Sequence, residues 1–510
     1  MIKHLDKQFP LLTFVFLSWV TMWVSINAIP YEIEYMTDSF INFINGSRSI
    51  AAILFSVSSL VLLFFLIILK KIKKLSIILS LFALYFIFQF IGLVTNEGRV
   101  VELTSTYLIL YALGTISVLM IIDSQKLYKI LPYFFYFSLS ILTVAYLIIL
   151  TQSTGNFLTI IAGNLYNLHH PDELIFYQAP PRITGLTRSF GIISLSLLII
   201  FAYKKRTNLF SSTIFSLIVL ISIFIWMGQS RGTLICYYIT SIFFIIFLNN
   251  FNQFKKFLII ISITFFSIVV SNETIKIAKK IILKKEISIL KEIKKLNPGL
   301  NELLDEIKKM ELKKKSGDLS DIELMKLKLL NKEYEILNKN ILTDDPHKSS
   351  RIFEKIAGSY TSGRFALWKN ALERYEKNRF FGYGPQGDRV LIDQSNIYGN
   401  NVSNTMIYGL LSGGYFSLTI LILIYIYTAY IVLNYFLINK IFLNKFSINK
   451  ENIFVVASIV YTVFFMIRSL FENSFGVFSI DFLIVILSLF IIENKTPKKK
   501  INFKLLKSFL

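Results

Sequence analysis

One cysteine and four histidines in 510 residues leave little from which to build a disulfide framework or a metal cage. Cys236 lies inside an apolar run, where a small buried hydrophobe is the ordinary reading. His4, His169, His170 and His347 show no metal-ligand spacing with it, and short acidic pairs are scarce. No small-residue cleavage site follows the first apolar segment, which is also too long and aromatic for a signal peptide and reads as a span. Internal repeats are absent, and few charges fall in the middle of the apolar runs. These absences exclude disulfide scaffolds and the usual metal chemistries, and they weaken a transporter with repeat-like halves and mid-span charges.

What is present is apolar length. The hydrophobic fraction is 54%, with 48 Phe and 26 Tyr, more than a soluble chain of this size carries. Runs of about 20 residues, enough to cross ~30 Å of hydrocarbon, recur through the chain. We expect an all-α polytopic membrane protein with about 12 spans. They fall near 11–29, 50–69, 75–94, 103–122, 131–150, 187–203, 209–227, 232–248, 256–271, 405–437, 452–468 and 475–492. This divides the chain into spans 1–9 over 1–271, a loop domain over 272–404, spans 10–12 over 405–492, and a basic tail over 493–510. The tenth span is longer than one crossing needs and contains Gly413-Gly414, so its first part reads as a broken or re-entrant piece.

The net charge of +22 points to topology rather than to nucleic acid, because the excess sits in short loops and the tail. Every second loop is basic: Lys3 and Lys7, Lys70 to Lys74, Lys126 and Lys129, Lys204 to Arg206, Lys255-Lys256, Lys440 to Lys450, then Lys498 to Lys507. Both termini are therefore expected on the cytoplasmic side, with the 272–404 loop outside.

The outer loop has two parts. Residues 273–340 carry apolar positions at helical spacing among Lys and Glu, interrupted at Asn297-Pro298-Gly299 and restarted by Ser320 and Glu323 as a capping box. Residues 350–404 hold Gly363-Arg364, a short helix with Arg364, Trp368 and Leu372 on one stripe, and Phe381-Gly382-Tyr383-Gly384. Glycine turns of this kind leave backbone N–H groups available to an anion, although ordinary turns explain them as well.

Several arginines fall on or near the expected outer face: Arg182 and Arg188 in the segment leading into span 6, Arg231 in the tight turn between spans 7 and 8, Arg364 at the loop helix, and Arg468 at the turn between spans 11 and 12. Each has a structural reading as an interfacial anchor or ion pair. Together they suit phosphate, which a guanidinium fork matches with two parallel hydrogen bonds. A lipid-linked diphosphate lies at that depth, and fixed arginines would stabilise the charge it gains as a leaving group. Glu472, four residues after Arg468, reads either as a base or as the partner of Arg468.

These residues resemble the O-antigen polymerase and O-antigen ligase superfamily of bacterial surface-polysaccharide assembly. The likeness covers roughly 180–490. It rests on Ser230-Arg231-Gly232, Gly363-Arg364 with Trp368 and Ala371-Leu372, Phe381-Gly382-Tyr383-Gly384, Asn404, Gly413-Gly414, and Arg468 with Glu472. The resemblance implies a glycosyltransferase in the bacterial inner membrane that joins undecaprenyl-diphosphate-linked glycans on the periplasmic face, without metal or other cofactor. It implies Arg231 and Arg364 on the diphosphate and a separate chain-length regulator as a partner. Ligases of that superfamily have a His-Asn pair where this chain has Ser403-Asn404, so the repeat-unit polymerase branch is expected, with a ligase and a lipid-linked oligosaccharide flippase as alternatives. The expected catalytic residues are Arg231, Arg364 and Glu472. Arg182, Arg188, Trp368, Tyr383, Asn404 and Arg468 are expected to contact substrate.

Overall fold

The computed structural model describes residues 76–95, 183–202, 208–227, 230–247, 252–274, 364–375, 380–388, 402–438, 452–474 and 480–495. It also describes helical positions scattered between 50 and 68, at 113 and 116, and at 276–277, together with residues 448 and 476. All regular structure among the described residues is helical. The helices are α1 (Ile77–Val94), α2 (Ile183–Ala202), α3 (Asn208–Met227), α4 (Arg231–Phe247), α5 (Gln253–Ile261), α6 (Arg364–Glu373), α7 (Thr405–Ile438), α8 (Ile453–Arg468) and α9 (Ile480–Lys495). A π-helical turn, Ser262–Phe266, carries α5 on to Thr274. Expected spans 3 and 6–12 coincide with these helices to within a few residues. Spans 1 and 5, part of span 2, all of span 4 but residues 113 and 116, and nearly all of the 273–340 segment lie outside the described residues.

Among the described residues, four helices are long and apolar enough to cross a membrane: Ile77–Val94, Leu209–Met227, Gln253–Thr274 and Thr405–Phe436. Thr187–Ala202, Arg231–Phe247 and Ile453–Arg468 are apolar but shorter. Large apolar side chains stand exposed along α3 (Phe210, Leu217), α5 (Phe257) and the π-helical turn after it (Phe265), and α7 (Ile422, Ile426). In water such faces would be a liability; hydrocarbon accepts them, so the surface is compatible with a membrane-embedded protein.

One apolar core runs through α1 to α5 and α7 to α9. In it α7 lies along α1, α2 on α3, and α8 on α9, while α4 touches α2 and α8. The two ends of the bundle are tied by different devices. At one end, Glu493 near the finish of α9 accepts from the first amides of α1, Ile77 at 2.9 Å and Ile78 at 3.3 Å, and from the Tyr427 hydroxyl at 2.8 Å. A carboxylate there satisfies amides that have no partner within their own helix and complements the positive end of the α1 dipole. Lys256 similarly donates to the Ile246 carbonyl at 2.8 Å, near the C-terminus of α4.

The opposite end gathers the starts of α2, α4, α7 and α9 and the finishes of α1 and α8. It is organised by a break in α7, where Gly414 adopts φ 72° and ψ −164°. An intact helix would bond the Tyr415 amide to the Leu411 carbonyl. Here Leu411 and Ser412 carbonyls accept from the Tyr383 and Gly384 amides, each at 2.8 Å, and the Tyr415 amide donates to Phe380 at 3.2 Å. The Phe381-Gly382-Tyr383-Gly384 loop thus mends the broken helix. Glycine is required for that approach. A Cβ on Gly414 would fall 1.9 Å from the Phe380 carbonyl oxygen, and one on Gly92 of α1 would fall 2.7 Å from the Ser412 oxygen. The expected interruption at Gly413-Gly414 is therefore present, with its sharp turn at Gly414.

Candidate functional site

Helix α6 stands over the mended end on a small cluster of its own, in which Leu367, Ala371 and Tyr375 pack with Tyr383, Val402, Tyr408 and Leu411. Trp368, one turn after Arg364, donates its indole N–H to the Val402 carbonyl and meets Phe365 edge-to-face at 5.0 Å. The start of α6 is thereby fixed, and Arg364 with it. Its Nη2 pairs with Glu472 Oε1 at 2.9 Å, and its Nη1 donates to the Phe471 carbonyl at 2.6 Å. A Cβ on Gly232 would lie 3.9 Å from that same Nη1 and 3.6 Å from the Phe471 Cβ. Gly232 belongs to the first turn of α4 beside Arg231, so the Arg364 guanidinium lies against a helix N-terminus. Arg231 itself is partly buried. Three candidates from distant parts of the sequence, Arg231, Arg364 and Glu472, are thus brought to one place.

Glu472 sits on a turn that follows α8, in which the Phe471 and Glu472 amides both donate to the Arg468 carbonyl at 2.9 Å. Asn404 straps this turn to α7. Its amide donates to Asn473 Oδ1 at 2.7 Å and its Nδ2 to the Leu470 carbonyl at 3.0 Å. Its Oδ1 accepts from the Met406 and Ile407 amides, both at 3.0 Å, which makes it the N-cap of α7. Thr405 adds its amide to the Ser469 carbonyl at 2.9 Å and its hydroxyl to the Glu472 carbonyl at 3.1 Å. Asn404, expected to touch substrate, makes these structural bonds, and through them it sets the position of Glu472.

Arg188 and Arg468 meet deeper in the bundle. Arg188 Nη1 reaches Asp481 Oδ2 at 2.7 Å and Arg468 Nη1 reaches the same oxygen at 2.9 Å. Arg468 Nη1 also donates to the Ser474 hydroxyl at 2.8 Å. All three charged side chains are buried. Sequence spacing offers Arg468 a partner in Glu472; the structure pairs Arg468 with Asp481 and Glu472 with Arg364. Burial explains the choice. Arg468 points into the bundle, where a charge needs a partner held in low dielectric, and Asp481 in the first turn of α9 is also favoured by the helix dipole. Asp481 is the participant that sequence reasoning missed. An acid opening an apolar span was the available signal.

Tyr383 is fully buried against Tyr375, and its amide and that of Gly384 are already bonded to α7. Arg182 lies outside the described residues. Among the described residues no three His, Cys, Asp or Glu side chains cluster as metal ligands would. The arrangement therefore offers a partly exposed guanidinium, that of Arg364, beside the start of α4 and paired with one carboxylate on a rigid turn, above a closed ionic core. Comparison of the chain with protein-family models, with curated proteins and with solved structures finds no match.

Proposed function

We propose that this protein polymerises undecaprenyl-diphosphate-linked oligosaccharide repeat units on the periplasmic face of the bacterial inner membrane. The observation that carries this reading is the meeting of Arg364 from the loop helix with the Arg231-Gly232 turn and with Glu472. A guanidinium beside a helix N-terminus is suited to a diphosphate, and a carboxylate within its reach is suited to a hydroxyl proton. In this reading the chain has twelve spans, both termini are cytoplasmic, and the arginine-bearing end of the bundle faces outward.

The growing glycan on its lipid diphosphate is the donor, and the terminal sugar of a second lipid-linked unit is the acceptor. The acceptor hydroxyl attacks the anomeric carbon and forms the new C–O bond. The bond from that carbon to the diphosphate oxygen breaks, and lipid diphosphate leaves with the electron pair. Arg231 and Arg364 stabilise the leaving charge, and Glu472 takes the hydroxyl proton. Direct displacement inverts the anomeric centre. No metal or other cofactor takes part in this reading, and a separate chain-length regulator is its expected protein partner. A ligase of the same superfamily differs only in its acceptor. Ser403-Asn404 counts against it, because a serine hydroxyl in place of histidine is a poor base at neutral pH.

The test is gel analysis of surface polysaccharide from cells lacking the gene, complemented with wild type, Arg231→Ala or Arg364→Ala. The proposal expects a single repeat on the lipid core, extended to a ladder by wild type alone. Naked core with accumulating lipid-linked polymer would make the protein a ligase. Single repeats trapped on the cytoplasmic side would make it a flippase.

A further inference from the structure

The two carboxylates at this end of the bundle hold their arginines on different terms. Asp481 serves two guanidiniums with one oxygen and is 2% exposed. Among the described residues the Glu472 carboxylate meets one guanidinium nitrogen, that of Arg364 through Oε1, and the side chains are 22% and 29% exposed. The other Arg364 terminal nitrogen is given to a neutral backbone carbonyl. A carboxylate oxygen 2.9 Å from a guanidinium nitrogen stands where a phosphate oxygen would stand, because both anions match the same fork. A partly exposed pair of this kind is screened by water and weaker than a buried one, so an anion of higher charge displaces the carboxylate readily. The backbone need not move: the turn is held by Asn404 and Thr405, and rotation of the Glu472 side chain suffices for release.

We propose that Glu472 is an internal competitor for the diphosphate ligand. It occupies Arg364 before the ligand arrives and is displaced when a phosphate takes the guanidinium. The ligand class rests on the reading of the site given above; the competition itself is a matter of the pair's geometry. Displacement also releases the carboxylate named above as the base, so the donor binds before the acceptor hydroxyl can be deprotonated. An arginine that were merely oriented by its carboxylate would behave in the opposite way when the carboxylate is removed.

Full-length protein in detergent, at fixed ionic strength, is titrated with inorganic pyrophosphate by calorimetry. Glu472→Gln is expected to bind about two- to five-fold more tightly than wild type, the worth of a lost partly exposed pair. Arg364→Gln is expected to lose the binding. In a transfer assay Glu472→Gln should lower turnover and lower the donor KM together. If Glu472→Gln does not elute as folded protein, Glu472→Asp, one methylene shorter, should shift affinity in the same direction. Unchanged or weaker binding in the folded variant overturns the proposal, as does wild type that ignores pyrophosphate. Tighter binding alongside a polysaccharide ladder that survives deletion of the gene would sink the polymerase reading and leave the competition standing. A ladder lost on deletion, with no tightening in Glu472→Gln, would do the reverse.

Discussion

Asp481 and Glu472 lie on consecutive segments, α9 and the turn that ends α8, and both accept from arginine at 2.7–2.9 Å. Depth separates them. Around Asp481 there is little water to screen charge or to replace a lost partner, so Arg188, Arg468 and Asp481 stand or fall together. Around Glu472 water reaches both partners, so the pair can open at little cost. Identical chemistry therefore serves as a bolt in one place and as a latch in the other, and burial decides which. The bolt fixes where α2, α8 and α9 meet. The latch sits where a ligand can reach it.

The largest effect should come from drawing the bolt. Asp481→Ala leaves two buried guanidiniums without their shared carboxylate and should cost about 3–5 kcal/mol. The expected outcome is a collapse in the yield of monodisperse protein and a much lower unfolding temperature in detergent. Replacing all three residues by apolar side chains of similar volume should recover most of the loss, since a buried ionic cluster is seldom more stable than good apolar packing. An Asp481→Ala protein as stable as wild type would break the comparison at its root.

Much of the fold was legible because hydrocarbon imposes a strict rule. A helix must cross with its backbone satisfied, so apolar length alone placed 75–94, 209–227, 405–437 and 452–468. Gly413-Gly414 gave the interruption of α7, because a glycine pair in an over-long span has few other uses. Loop-borne glycines were harder. Phe381-Gly382-Tyr383-Gly384 looked like a turn with amides to spare, yet the Tyr383 and Gly384 amides satisfy the carbonyls that the break exposes. Nothing in either segment alone announces that pairing, which depends on the three-dimensional approach of Gly92 as well. Ion-pair partners are hard to read from sequence for a related reason. Spacing matches Arg468 to Glu472, but partner choice follows burial, and Asp481 is 13 residues away from Arg468. Arg364 and Glu472, 108 residues apart, were singled out separately by their chemistry, not by spacing.

A smaller effect should follow from cutting the strap between the two sites. Asn404→Ala removes the N-cap of α7 and the side-chain bond to the Leu470 carbonyl. The loss should be about 0.5–2 kcal/mol, the usual range for a helix cap. Because the strap also carries the Glu472 turn, amide hydrogen exchange should rise across 469–474 while α8 stays protected. Asn404→Asp keeps the capping oxygen and should recover the α7 start but not the Leu470 contact. If exchange rose equally along α8, the turn and the ionic core would be one unit, not two.

The smallest effect belongs to the latch. Glu472→Gln removes a charge that is about one-fifth exposed and keeps the side-chain shape. After allowance for solvent screening it should cost no more than about 1 kcal/mol. Salt sharpens the contrast. At about 1 M the Debye length falls to ~3 Å, so the stability gap between wild type and Glu472→Gln should close, whereas the Asp481→Ala gap should persist because its charges are shielded from the ions. Thermal unfolding of the three proteins across a salt series measures both gaps at once. A Glu472→Gln loss as large and as salt-independent as that of Asp481→Ala would mean that the latch is a second bolt, and the exchange of Arg364 between carboxylate and phosphate would lose its physical basis.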